Sequence, residues 1–99
     1  MSITSSSSKD GAEFKIEING TFDFGMQKDF RNSYEGVNAS EYIIDMANAD
    51  YMDSSALGML LMMREHAGGA TAKITLENCS QDIKAILSVA NFQSLFNIT

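Results

Sequence analysis

The chain has 99 residues, enough for one small domain with a single hydrophobic core and too few for two. Its 13 Asp and Glu outnumber its 7 Lys and Arg, and the net charge of −6 argues against nucleic acid and anionic membranes as partners. One cysteine, no signal-peptide pattern and an apolar run far shorter than the ~20 residues of a membrane span predict a soluble, cytoplasmic protein without an internal disulfide.

The first twelve residues, MSITSSSSKDGA, are polar and Ser-rich, which is typical of a flexible arm. The pair Asp10-Gly11 is also a hairpin-turn signal just before a strand-like segment, so the same residues could form a weak edge strand. We therefore assign residues 1–12 to an arm or edge strand with a hairpin turn, and residues 13–99 to a single domain.

Two amphipathic segments follow. In EFKIEING the apolar positions alternate with polar ones, which predicts a strand with one buried face. The apolar positions of this strand are Phe14, Ile16 and Ile18. Further on, Met26, Phe30 and Tyr34 are spaced four residues apart, which predicts a short helix over residues 26–34.

The rest of the chain continues the alternation of strands and helices. EYIIDMA is a compact, β-branched run that predicts a central strand covered on both faces, and TAKITLEN predicts the next strand. A final helix is predicted to start at the N-cap candidate Ser80 and to be interrupted at Asn91. The pattern predicts the α/β class, with a mixed β-sheet and helices packed on it.

Residues 50–69, DYMDSSALGMLLMMREHAGG, place two hydroxyls between carboxylates and a nearly unbroken apolar run. A helix is predicted from Ser54 or Ser55 to about residue 67, where Gly68 offers a left-handed stop. At about 100° per residue, three leucines fall within about one third of the circumference, so we expect them to be the buried face. These leucines are Leu57, Leu60 and Leu61.

The opposite side of this helix carries Gly58, Met59 and Met62 next to Ser55. Methionine is unbranched and polarizable and suits a surface that must fit a partner. We therefore interpret Gly58, Met59 and Met62 as a partner-binding surface and expect both methionines to stay exposed in the isolated chain. The alternative is that the domain itself covers both methionines.

Helix capping explains the presence of only one of the two serines. Asp53 or Ser54 could cap the helix unaided, which leaves Ser55 in the first turn without a structural role. The free backbone N–H groups of a helix N-terminus favour an anionic substituent such as phosphate. Ser55 is therefore a candidate modification site.

Three stretches carry a resemblance to a known family: IEINGTFDF, the long segment from YIIDMANADYMDSSALG to CSQDIKAIL, and the closing NFQSLFNI. With its Met-Asp-Ser-Ser-Ala-Leu-Gly motif, the chain resembles the STAS domains of anti-sigma factor antagonists. The resemblance implies a mixed sheet flanked by helices and a serine that a partner kinase phosphorylates. By position that serine is Ser55, with Ser54 as the runner-up. Asp53 matches the acidic residue of the motif, and Asp23 matches an aspartate near the same site.

The resemblance also implies a function. An unphosphorylated antagonist binds a GHKL-type anti-sigma serine kinase and frees a sigma factor, and a metal-dependent serine phosphatase reverses the phosphorylation. We therefore expect a regulator of transcription that binds its kinase while Ser55 is unphosphorylated and releases it afterwards. The resemblance also permits a passive STAS scaffold or a regulatory subunit of a larger signalling or transport complex.

We expect no enzymatic activity and no cofactor. The only histidine, His66, lies eleven residues after Ser55, about 16 Å along a helix and too far to act as its base. The G-x-S-x-G motif of serine hydrolases is absent from the sequence. Cys79 precedes a predicted helix, where its pKa could be lowered, but a lone cysteine is more often a small packed residue.

Three aspartates, Asp45, Asp50 and Asp53, could indicate a magnesium site or a receiver-like phosphoaspartate. Aspartate is also a standard residue of turns and helix caps, and no suitably placed lysine accompanies the set. We favour turn and cap roles and expect no metal.

Overall fold

The computed structural model describes residues 2–99, which form a mixed sheet with three α-helices. The strands are β1 (Ser2–Ser7), β2 (Glu13–Phe22), β3 (Glu41–Asp45), β4 (Ala49–Met52), β5 (Ile74–Glu77) and β6 (Asn97–Ile98). The α-helices are α1 (Gln27–Tyr34), α2 (Ser54–His66) and α3 (Gln81–Val89). The sheet order is β1-β2-β3-β5-β6, and β4 pairs with the far end of β2. β1 is antiparallel to β2 and the other pairs are parallel, which confirms the predicted class.

One face of the sheet carries the hydrophobic core. Ile16 on β2 is paired with Ile44 on β3, which is paired with Leu76 on β5, and all three side chains are fully buried. Phe14 and Ile18 are buried with them, as the alternation of EFKIEING predicts. Each such side chain contributes about 1.5–3 kcal/mol when it leaves water. The three helices add their buried side chains to the same cluster.

The central strand β3 is covered on one face only, so the prediction of two covered faces is wrong. Tyr42 and Ile44 are buried, whereas Ile43 and Asp45 are partly exposed on the other side of the sheet. There the Lys15 ammonium lies 3.7 Å from Asp45 and 3.2 Å from Glu77. A compact apolar run resembles a doubly covered strand, but these charges keep the second face in contact with water.

The N-terminal segment forms an edge strand. Ser2–Ser7 pairs with β2 from Asn19 to Phe14, and Ile3 packs against the core. The connection turns at Gly11, whose φ of +72° lies in the left-handed region that favours glycine. The Asp10 carboxylate accepts a hydrogen bond of 2.7 Å from the Ser8 hydroxyl, which tightens the turn.

Helices α1 and α3 form near the predicted positions. Met26 lies in the short 3-10 helix Phe24–Met26 just before α1, and it is buried together with Phe30 and Tyr34. The Ser80 hydroxyl caps α3 by accepting from a backbone N–H at 3.2 Å, and Asn91 ends the helix with φ +59°. Within residues 2–99, none of the helices combines the length and the apolar character needed to cross a membrane.

Candidate functional site

The two serines lie at the carboxyl ends of two parallel strands. Met52 at the end of β4 is paired with Phe22 at the end of β2, and the Asp53 N–H donates to the Phe22 carbonyl at 3.3 Å. Asp23 therefore follows the last residue of β2, and Asp53 follows the last residue of β4, directly beside it in the sheet. Open α/β sheets bind their ligands at this edge.

Asp53 is the N-cap of α2 and holds the hydroxyl of Ser55. One carboxylate oxygen, Oδ1, accepts from Ser55 Oγ at 2.6 Å, from the Ser55 N–H at 3.0 Å and from the Ala56 N–H at 3.3 Å. The hydrogen bond from the Ser55 hydroxyl, helped by the backbone donors, holds the pKa of Asp53 below its ordinary value. At neutral pH the first turn of α2 therefore carries an ionised carboxylate in contact with a serine hydroxyl.

Ser54 and Ser55 differ in environment, although they are neighbours. Ser55 is partly exposed and its hydroxyl is bonded to Asp53, whereas Ser54 is exposed. Within the part of the chain that the structure describes, the Ser54 hydroxyl forms no side-chain hydrogen bond to the protein. Asp23 caps the short 3-10 helix, since its Oδ1 accepts from the Gly25 N–H at 2.9 Å.

The buried face of α2 is not the predicted one. Leu60 is buried and Met62 is half exposed, as expected, but Leu61 is 40% exposed, Leu57 is partly exposed and Met59 is buried. The residues that face the core are Ala56, Met59, Leu60 and Met63. The prediction is therefore wrong for Leu61 and Met59.

The physical reason is that a long apolar run does not by itself specify which side of the helix is buried. From residue 56 to residue 63 every position except Gly58 is apolar, so the contact with the sheet decides which stripe is buried. The buried set has the spacing i, i+3, i+4, i+7 that is ideal for a helix packed on a core. This spacing is present in the sequence and predicts the buried face correctly, whereas a prediction based on the three leucines alone does not.

What remains of the predicted partner-binding surface is Gly58 and Met62, joined by Leu61. Gly58 lies on the exposed side of α2, and no atom lies within 4 Å of the place where a Cβ would stand. Met62 is 50% exposed one turn further along. Met59 is removed from this surface because its side chain is covered by the domain itself.

A second surface, which the sequence did not reveal, borders the serines on the side of α3. It is a groove of about 370 Å³ between the N-terminal half of α2 and the C-terminal half of α3. Its apolar lining includes Tyr51, Leu57 and Val89. Asp53 and Ser54 form the end of the groove that lies next to Ser55. Val89 is 91% exposed. A bulky apolar residue outside the buried stripe of α3 is the signal that could have pointed to this groove.

His66 has a structural contact that the sequence did not predict. Its Nε2 lies 2.9 Å from the Val37 carbonyl, and its ring lies 5.1 Å from that of Tyr34. These contacts connect the end of α2 to the segment after α1. His66 thus belongs to the opposite end of the helix from Ser55.

The remaining candidate groups have separate local partners. Asp45 is partly buried, which opposes ionisation, but hydrogen bonds from Asn78 and a backbone N–H, together with Lys15, keep its pKa below the ordinary value. Burial raises the pKa of the Cys79 thiol, in agreement with a packed side chain. Within residues 2–99, no three His, Cys, Asp or Glu side chains are grouped so that they could hold a metal ion.

The fold and the site together define a small α/β domain: a mixed sheet with a pair of serines at the start of the helix that follows β4. The chain belongs to the STAS domain family, because the family model described as Mlab, STAS domain matches residues 5–97. A relative, the STAS-domain containing protein PA14_20770 of Pseudomonas aeruginosa strain UCBPP-PA14, is 50% identical over 101 residues and is matched over the full length of both chains.

Solved structures share the fold. A putative anti-sigma factor antagonist from Thermotoga maritima has a TM-score of 0.80 at 14% identity, covering 97% of this chain and 84% of that one. The anti-sigma factor antagonist SpoIIAA in its unphosphorylated form has a TM-score of 0.74 at 16% identity, covering 99% and 87%. A sulfate transporter family protein from Wolinella succinogenes has a TM-score of 0.73 at 20% identity, covering 89% and 78%. At these identities the similarity concerns the fold alone.

Proposed function

We propose that this chain is a phosphorylation-switched binding protein of the anti-sigma factor antagonist type, and not an enzyme. In this proposal Ser55 accepts the phosphate, with Ser54 as the runner-up, and the protein works in the cytoplasm to regulate transcription. Its partners are a GHKL-type anti-sigma serine kinase and a metal-dependent serine phosphatase. The unphosphorylated form binds the kinase, and the phosphorylated form releases it.

The observation that carries the proposal is the placement of the Ser55 hydroxyl. It is partly exposed, lies in the first turn of α2 and donates at 2.6 Å to the ionised Asp53. The helix N-terminus can accommodate a phosphate, which it stabilises by typically 0.3–1 kcal/mol. The fold tolerates that addition because the other side of α2 is anchored by fully buried Ala56, Leu60 and Met63.

The binding effect follows from charge at the interface. Phosphorylation adds about −1.5 to −2 charges next to Asp53 and replaces a neutral hydroxyl. Beside it, Gly58, Leu61 and Met62 form an exposed surface that suits a closely packed partner. Desolvating a phosphate opposite such a partner is costly, and a loss of about 2.7 kcal/mol is enough to weaken binding a hundredfold.

The test begins with recovery of the kinase. Ser55→Ala serves as bait in a native lysate, and the recovered kinase is then titrated with each variant. We expect tight binding by wild type and Ser55→Ala and about hundredfold weaker binding by Ser55→Asp. Ser40→Asp is the matched control, because Ser40 is exposed and lies just before β3, at the other end of the sheet. Equal affinity of wild type and Ser55→Asp would refute the switch.

A passive STAS subunit of a larger signalling or transport complex is the second candidate. The exposed apolar groove between α2 and α3 favours it, since a permanent partner would cover Tyr51 and Val89. The two functions differ in the intact mass of protein purified from its own cells. A phosphorylated fraction that maps to Ser55 has no place in the passive function.

A further inference from the structure

Asp53 connects the Ser55 hydroxyl to the helix backbone through a single oxygen. The O–H···O⁻ distance of 2.6 Å is in the range of short, charge-assisted hydrogen bonds. The same Oδ1 atom is itself held by the N–H groups of Ser55 and Ala56 at 3.0 and 3.3 Å. The carboxylate therefore cannot rotate away without losing the cap, and the Ser55 side chain is confined to one orientation.

Ser54 provides an internal comparison. Its hydroxyl is chemically identical, belongs to the same helical turn and is more exposed. It has no counterpart of the Asp53 contact, so its side chain is free to populate several staggered rotamers. Exposure alone would favour Ser54 as an acceptor. Orientation favours Ser55.

Resting on the proposed function, we propose that Asp53 is a positioning residue that selects Ser55 over Ser54 as the phosphate acceptor. Because the Ser55 proton points at Oδ1, the lone pairs of Oγ are directed away from Asp53 and stay available to the γ-phosphorus. A fixed nucleophile close to the reactive geometry lowers the barrier of phosphoryl transfer, which depends mainly on positioning.

The transfer itself takes the phosphate from ATP bound to the kinase. A bond forms between Ser55 Oγ and the γ-phosphorus, and the bond from that phosphorus to the bridging oxygen of ADP breaks. ADP leaves with the electron pair, and the hydroxyl proton passes along its hydrogen bond to Asp53 Oδ1 and from there to water. Asp53 then returns to the ionised form that its lowered pKa favours.

Two substitutions separate positioning from helix capping. Asp53→Asn keeps an oxygen acceptor of the same reach and a good N-cap, and Asp53→Ser keeps an N-cap but places its only side-chain oxygen one bond nearer the backbone, away from the position of Oδ1 that holds the Ser55 hydroxyl. With the kinase recovered by the Ser55→Ala bait and Mg-ATP, we expect Asp53→Asn to place phosphate on Ser55 only. For Asp53→Ser we expect kcat to fall by about tenfold to a hundredfold at similar KM, with phosphate divided between Ser54 and Ser55. Mass spectrometry locates the phosphate, and circular dichroism verifies folding.

A measurement without the kinase completes the test. Three-bond NMR couplings report the χ1 angle, and in the wild type we expect a single rotamer for Ser55 and averaging for Ser54. In Asp53→Ser both residues should be averaged. Averaged couplings for Ser55 in the wild type, or Ser55-only phosphorylation at wild-type kcat in Asp53→Ser, would overturn the selection by Asp53. A wild-type protein that the recovered kinase does not phosphorylate at all would instead overturn the proposed function, and the couplings would still decide the positioning.

Discussion

Gly58 provides a prediction in which stability and binding change in opposite directions. It lies inside the 13-residue helix α2, is exposed and has ordinary helical φ, and a Cβ at this position would meet no atom within 4 Å. Glycine inside a helix costs about 1 kcal/mol relative to alanine. Gly58→Ala should therefore raise the free energy of unfolding by about 1 kcal/mol, which corresponds to roughly 4–8 °C in Tm for a domain of this size.

Binding to the kinase should weaken in the same variant. If the partner packs closely over Gly58, an added methyl group acts as overpacking, which typically costs 1–3 kcal/mol and corresponds to about fivefold to a hundredfold in Kd. Thermal and urea denaturation measure the first effect, and titration against the recovered kinase measures the second. A more stable variant that binds less well is an outcome that general damage to the fold cannot produce.

Gly36→Ala is the matched control. A Cβ at Gly36 would also meet nothing within 4 Å, but φ there is +85°, a left-handed conformation that costs an alanine about 1–2 kcal/mol. The same chemical change should therefore lower the stability at Gly36 and raise it at Gly58. A Gly58→Ala variant with unchanged or lower Tm would refute the helix argument, and unchanged affinity would remove Gly58 from the partner surface.

Two further predictions concern the orientation of α2 and its cap. Leu60→Ala should cost about 2–5 kcal/mol, whereas Leu61→Ala should stay within about 0.5 kcal/mol; equal losses in urea denaturation would contradict the observed orientation. Asp53 has a folded-state pKa below the ordinary value of 3.8, so its stabilising effect is complete above that pH and is lost as the pH falls through the folded-state pKa. The stability difference between wild type and Asp53→Asn should therefore shrink as the pH falls from about 5 through the folded-state pKa, and a difference that does not change with pH would exclude this role of the ionised carboxylate.

The sequence was most informative where polar residues frame apolar ones. Phe14, Ile16 and Ile18 alternate with charged or amide side chains, so one buried face was the only solution. Ser80 and Asn91 mark both ends of α3 because capping and left-handed backbone depend on local chemistry. Such features require no knowledge of the rest of the fold.

The sequence-based predictions are wrong where the local sequence pattern is compatible with more than one buried face. Along α2 almost every position from 56 to 63 is apolar, and only the sheet beneath the helix determines that Met59 is buried and Leu61 is not. The groove and the contact of His66 with Val37 join segments that are distant in sequence. The Asp53–Ser55 hydrogen bond could be predicted only in part. The sequence motif identifies both residues, but it does not show that their side chains are in contact at 2.6 Å.

The distribution of aromatic residues gives the native protein a distinctive optical signature. The chain contains three tyrosines and no tryptophan, so its intrinsic fluorescence comes from tyrosine alone. Tyr34 and Tyr42 are buried beside the ring of His66, whereas Tyr51 is 54% exposed on the wall of the groove. A dissolved quencher such as acrylamide therefore reaches Tyr51 in preference to the other two. The same emission band thus contains a buried component that follows unfolding and an accessible component that follows occupation of the groove, without any attached dye.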